Sequence, residues 1–328
     1  MAENKIYPAA GGSRYIPYNE RSGEESEVFF TKDLSAAGLL KVYERVCAAI
    51  SGKVGVKLHT GEPHGPNIIP RTWVESLIKT KLPSASIIET NTYYDGDRYT
   101  TEQHRKTLEI NGWTFCPVDI LDENGTAPLP VKGGKWFSEM VVGKNLLNYD
   151  SMLVLTHFKG HTMGGFGGSD KNIGIGCADG RTGKAMIHTV PGSSNLWSIA
   201  EEELMERITE SSKSVVDFFG KNISFINVMR NMSVSCDCEG TAAAPVVTPD
   251  IGIVASLDIL AADQASVDLI YALSEDDRRA MVERIETRHG LRQLTYMKQL
   301  GMGNDRYKLI DIDNGDAVIT AAQAVRAK

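Results

Sequence analysis

The sequence predicts an α/β fold: a mainly parallel sheet with helices on both faces. Three observations carry that prediction. Short apolar runs bounded by Gly, Pro, Asn or Asp recur along the chain and read as buried strands. Helical stretches lie between them, and such alternation argues crossover connections over both faces of a parallel sheet. The length of 328 residues, 42% hydrophobic and 23% charged, gives ample core without disulfide staples.

The elements follow in order. Residues 1–27, rich in Gly, Ser and charge, read as a poorly ordered arm or surface strap. The fold is expected from Val28 to residue 328 as a single α/β domain, with lobes 28–190 and 191–328 around a cleft as the other division. Strands are expected at Lys53–Leu58, Ala85–Glu89, Val118–Leu121, Met152–Phe158, Phe225–Met229 and Ile251–Ala255. Helices are expected at Leu34–Ile50, Pro70–Lys79, Thr101–Asn111 and Asp258–Leu273. The clearest helix is Asn195–Phe219, where Leu196, Ile199, Leu204, Ile208, Val215 and Phe219 trace one face and Gly220 supplies a stop. Helices at Asp276–His289 and Leu291–Gly301 and a strand at Leu309–Ile312 close the chain. No internal repeat is present.

Charge narrows the function classes. With 35 Lys+Arg against 42 Asp+Glu the net charge is -7, and no basic block stands out, which argues against nucleic acid as a partner. The first 21 residues hold no apolar run, so neither a signal peptide nor a membrane span is expected and the cytoplasm is the expected location. Homo-oligomers stay open. The five cysteines, at 47, 116, 177, 236 and 238, are an odd count in an unexported chain and are expected as thiols. None of them forms a self-contained ferredoxin cluster run.

The chemistry concentrates in Thr156–His188. Positions 160–183 hold nine of the 31 glycines, a density that brings backbone N–H groups close to a bound group. Gly164, Gly165, Gly167 and Gly168, with Lys159 and Asn172, are the candidate cofactor cradle. His157, His161 and His188 fall within 32 residues of one another, beside Lys171, Lys184, Asp170 and Cys177. Imidazoles move protons or bind metal near neutral pH, and lysines hold anions or form covalent adducts. His161, Lys171 and His157 are therefore the candidate catalytic residues. Histidines that only hydrogen-bond backbone would be the plainer alternative.

A second constellation is Cys236-Asp237-Cys238, after the Phe225–Met229 strand. In extended backbone both sulfurs point to one side and Asp237 to the other. Two thiolates can grip one soft ion, with the histidines of Thr156–His188 as candidates for the remaining ligands, and zinc, nickel and iron all fit such donors. Asp258 reads as a helix N-cap and Asp263 as either a pocket carboxylate or part of a buried network. Lys57, His59, Asn91, Asp95 and Arg98 follow strands at the edge where parallel sheets bind ligands, so Lys57, Arg98 and Asp263 join the candidate binding set. His104 and His289 read as surface residues, and Cys47 as core.

The blocks VKLHTGEP, ETNTYYDGDRYT, LVLTHFKGHTMGGFGGSDKNIGIGC, NMSVSCDCEGTAAAP and PDIGIVASLDILAADQASVDLI, in that order, resemble domain-of-unknown-function family 362, whose members include ferredoxin-associated iron–sulfur proteins. Many members carry a ferredoxin-like insert after the histidine matching His188. Here Thr189–Ser194 leads straight on, so a redox role implies a separate ferredoxin as partner. His161-x-x-x-Gly165-Phe166-x-Gly168-x-x-Lys171 is also similar to a block of the nickel-pincer lactate racemases. That likeness implies Lys171 as cofactor carrier, His161 as acid/base and His188 as metal ligand, although Ser169-Asp170 replaces their Gly-Arg. The expected function is a metal- or cofactor-dependent enzyme, oxidoreductase or isomerase, acting on a small anionic substrate at this loop. The alternative is a non-catalytic metal- or cluster-handling accessory protein.

Overall fold

A computed structural model describes residues 14–190, 192, 193, 195 and 198–326. Its centre is a nine-stranded sheet in the order β13-β12-β1-β11-β10-β7-β2-β3-β4. These strands are β1 (Glu25–Thr31), β2 (Val54–Lys57), β3 (Ser86–Glu89), β4 (Val118–Ile120), β7 (Ser151–His157), β10 (Ile223–Met229), β11 (Gly252–Ser256), β12 (Arg306–Asp311) and β13 (Ala317–Ile319). Five of the eight neighbouring pairs are parallel, as the sequence predicts. Only β11 and β13 run against the rest. Strands from both halves of the chain share this sheet.

Every residue of β2, β7, β10 and β11 is buried, which explains their unbroken apolar runs. Side chains alternate between two cores. Met152 and Val154 of β7 face one, with Phe225, Val254 and residues of α6 (Glu201–Phe219), α7 (Ile259–Ala272), α8 (Glu275–Thr287) and α9 (Arg292–Gln299). Leu153 and Leu155 face the other, with α1 (Ala36–Val46), α2 (Arg71–Lys81) and α3 (Thr101–Ile110). Local signals set the helix starts. Ser35 and Asp258 cap α1 and α7 through Gly38 N–H and Ala261 N–H, and Thr100 with Gln103 forms a capping box on α3. No described helix is long and apolar enough to cross a membrane.

Several expectations change. Strand β1 begins at Glu25, ahead of Val28, and Arg21 is buried with both terminal nitrogens on the Asp268 carboxylate at 2.6 Å. Residues 14–27 therefore pack on the body; residues 1–13 lie outside the described residues, as does Leu196. Helix α6 starts at Glu201, later than Asn195. The sequence pattern does not disclose β5 (Thr126–Pro130) paired with β6 (Glu139–Gly143), β8 (Lys159–His161) paired with β9 (Gly165–Gly167), or the short helices α4 (Ser169–Gly176), α5 (Thr182–His188) and α10 (Ala321–Ala324).

Candidate functional site

Strands β7 and β10 are parallel neighbours, with Val228 beside His157, so the loops leaving their carboxyl ends lie side by side. The first leads through the β8–β9 hairpin into α4. The second carries Cys236 and Cys238. Gly160 locks the two together: its N–H donates to Ser233 O at 2.8 Å, and a Cβ there would sit 2.5 Å from Val234 Cα. Residues some seventy positions apart thus border one cavity of about 330 Å³. His157, His161, Lys159, Lys171, Asn172, Lys57, Arg98, His188, Gly167, Gly168, Cys236 and Cys238 all line it.

These side chains differ in what they have left to offer. His157 sends Nδ1 to the Asp237 carboxylate (2.8 Å) and Nε2 to Arg230 O (2.7 Å). Both nitrogens are spent on protein acceptors, so the expected acid/base role for His157 gives way to a tether between the loops. Lys159 reaches the same carboxylate at 3.0 Å. Burial alone would raise the Asp237 carboxyl, but His157 and Lys159 hold it well below the usual range. Lys57 donates to Leu58 O (3.0 Å) and Asn172 Oδ1 (2.9 Å). Arg98 is clamped between Glu62 (2.7 Å) and Glu89 (3.1 Å). Lys184 donates to Thr90 Oγ1 at 2.7 Å and to Asn91 O, and burial lowers its amine to about 8.

Lys171 and His188 are different. Among the described residues, the Lys171 amine has no hydrogen bond or ion pair, although it lines the cavity. Burial pushes it below the ordinary lysine range. His188 donates Nδ1–H to Lys184 O at 2.9 Å, which leaves Nε2 as a lone pair. Burial lowers this imidazole to about 4, so it is neutral near pH 7. Its ring stacks with Tyr93, centroids 6.4 Å apart.

The thiol corner completes the cavity. Donor atoms of His161, Cys236 and Cys238 lie within 4.8 Å of one another, a metal-site spacing; His188, expected from the sequence as the third ligand, is not in this group. The His161 tautomer argues against ligation, because Nδ1 accepts N–H from Met163 (3.1 Å) and Gly164 (2.8 Å), placing the ring proton on Nε2. His59 is fixed the same way by Gly61 N–H at 2.9 Å. As arranged, these rings offer N–H rather than lone pairs, and the three-donor set does not fit a metal ion. Cys238 is not in extended backbone as expected: Cys236 starts a 3-10 turn, Asp237–Ala242, and its sulfur accepts Cys238 N–H at 3.3 Å. Hydrogen bonding from the Cys238 thiol, opposed by burial and aided by His161, draws the Cys236 thiol well down, while the same bond and burial push Cys238 up.

Other expected residues lie elsewhere. Asp263 does not border the cavity. It accepts Ser169 N–H (2.7 Å), Asp170 N–H (2.9 Å) and Asn227 Nδ2 (2.9 Å), closing a buried network at the start of α4. Asp170 turns toward α6, where Thr209 donates at 2.9 Å. Gly165 faces the α8–α9 junction, whereas Gly164 sends only its carbonyl there and turns its Cα toward His161 and Lys171. Gln293 donates to Gly164 O at 2.8 Å, and a Cβ on Gly165 would meet Gly290 Cα at 2.7 Å. Asp95 is exposed, and Asn91 holds Thr101 and His104. His104 is fully buried, not superficial, 3.4 Å from Glu89. Cys47 is only partly buried, and Cys177, fully buried, is raised to about 12 by burial. Residues the sequence reading did not single out include Glu239, which ties Thr162 (2.5 Å), Ser235 (2.8 Å) and Cys236 N–H (3.1 Å), and Tyr93 and Tyr94 on the opposite wall. An acidic residue three places after Cys236 was the available signal, as a capping box.

Among curated proteins, none matches the chain. Among solved structures, similarity extends to the lactate racemase apoprotein from Thermoanaerobacterium thermosaccharolyticum. There the TM-score is 0.40 at 11% identity, over 92% of this chain and 86% of that one. A structural-genomics protein from Thermotoga maritima aligns at TM-score 0.39 and 14% identity, over 77% of this chain and 57% of that one. The family model described as Domain of unknown function (DUF362) matches residues 54–268, which span the cavity's lining from Lys57 to Glu239, and the chain belongs to that family.

Proposed function

We propose that this chain is an enzyme that binds a small anionic substrate in the cavity, with Lys171 as the anion's partner and His188 Nε2 as the proton acceptor. One observation carries the reading: an amine without a partner and a neutral imidazole with a free lone pair border the same enclosed volume. Lys171 is half-buried with no hydrogen bond or ion pair from the protein, and an incoming carboxylate or phosphate would give its amine a charge-assisted partner. Every other cation in the cavity already has partners, since Lys57, Lys159, Lys184 and Arg98 are held by carbonyls or carboxylates. They organise the walls, and Lys171 is left for the ligand. His188, fixed through Lys184 O, keeps Nε2 free as an acceptor in the cavity wall.

Ligand-induced stabilisation tests this reading. Thermal unfolding followed with inorganic phosphate and with small 2-hydroxy and 2-oxo carboxylates should rise for at least one anion in wild-type protein, and Lys171→Met should abolish the rise. An equal response in the variant would contradict it. The accessory-protein alternative makes a different demand: capture of a soft metal ion that is insensitive to Lys171→Met.

A further inference from the structure

Cys236 is surrounded by hydrogen-bond donors on the cavity side of its loop. The backbone N–H of Cys238 points at its sulfur at 3.3 Å. His161 and Cys238 each place a donor atom within 4.8 Å of that sulfur and His59 lines the same cavity, and each of the two rings has its Nδ1 lone pair spent on backbone N–H groups. A neutral imidazole in that tautomer can only donate from Nε2. Donors converging on one sulfur stabilise its anion, as at other reactive cysteines, and here the sulfur borders a cavity rather than packed core.

We propose that Cys236 is a nucleophile, a sulfur anion poised to add to the carbonyl carbon of a small anionic carbonyl compound seated against Lys171. The anionic half of this statement rests on the function proposed above; the nucleophile does not. In the addition step the Cys236 sulfur pair forms an S–C bond and the carbonyl π pair moves onto oxygen. That oxygen takes the proton of the Cys238 thiol, which becomes the thiolate, and reversal restores the starting pair. His161 and His59 act as positioning residues, since neither has a lone pair free to take a proton.

Alkylation of the full, reduced chain with iodoacetate and iodoacetamide, followed by peptide mapping, tests both halves separately. Cys236 should react first, on the order of tenfold faster than the partly buried Cys47. Its preference for iodoacetate over iodoacetamide, normalised to Cys47, should exceed one and fall to one in Lys171→Met. His161→Phe and His59→Phe should slow labelling at Cys236 and leave the Cys47 rate unchanged, a change that a merely structural role would not produce. If labelling starts at Cys238, or is no faster at Cys236 than at Cys47, the nucleophile is overturned. It is overturned equally if equimolar zinc protects both cysteines in wild type and in Lys171→Met alike, since that marks a metal site. Fast labelling at Cys236 with no Lys171 dependence upholds the nucleophile and removes the anion role of Lys171.

Discussion

Two buried polar clusters sit on opposite sides of α4, and consecutive residues of the segment Ser169-Asp170-Lys171-Asn172 divide between them. On the core side, Ser169 and Asp170 meet Asp263, Asn227 and Thr209, and apart from Asp170 Oδ1 the polar atoms of these side chains find partners within the chain. On the cavity side, Asn172 anchors Lys57, but among the described residues Lys171 makes no hydrogen bond or ion pair and meets the Cys236 and Cys238 sulfurs only through their charge. The comparison teaches that burial and charge do not distinguish a site from scaffolding; accounting for hydrogen-bond partners does. A cluster that closes on itself stabilises the fold, and one left open is completed by something else.

Breaking the closed cluster should cost most. Asp263→Ala strands the N–H groups of Ser169 and Asp170 and the Asn227 amide, and should lower stability by about 3–5 kcal/mol in chemical denaturation. Loss under about 1 kcal/mol would show that the network is dispensable. Next comes the seam between the loops. Gly160→Ala drives a Cβ into the Val234 backbone and should cost about 1–3 kcal/mol while displacing the Cys236 loop, checked by denaturation together with the Cys236 labelling rate. Removing the open cation should barely matter for folding: Lys171→Met should shift stability by less than about 1 kcal/mol, because the half-buried amine makes no hydrogen bond or ion pair whose loss would cost stability.

A pH dependence is confined to the closed side. Burial, with Asp263 nearby, raises the Asp170 carboxyl from 3.8 to about 7, and burial raises Asp263 to about 6. A carboxyl raised in the folded state binds more protons there than in the unfolded chain. Its stabilisation is present below 3.8 and is lost as pH climbs through the folded value. Denaturation of wild type and Asp170→Asn between pH 4 and 7 should therefore show wild type losing stability relative to the variant as pH rises. Parallel curves would place the Asp170 carboxyl at its ordinary value.

The sequence made the scaffold legible where burial leaves a pattern. The apolar runs of β7, β10 and β11 mark central strands because neighbours cover both of their faces. It hid β8–β9, since Gly-rich backbone carries no alternation, and β1, whose exposed Glu25 and Glu27 mask its inward Val28 and Phe30. The direction of β11 follows from tertiary pairing with β10 and β1, which no local signal encodes. At the site, residue types and the strand-end location were readable; partners were not. His157 and His161 look alike in THFKGH, yet one is tied to Asp237 and the other to its own turn, contacts decided by the adjacency of β7 and β10. His104 departs from its expected surface place, and Asp263 takes the buried-network side of its two expected places, for the same reason, each governed by a partner elsewhere in the chain.

Calorimetric titration of wild type and Lys171→Met with the best-binding carboxylate or phosphate, at fixed ionic strength, bears most directly on the open cavity. The account predicts affinity weakened on the order of tenfold or more in the variant, the worth of one charge-assisted hydrogen bond, with unfolding unchanged. Equal affinities in the two proteins would contradict it.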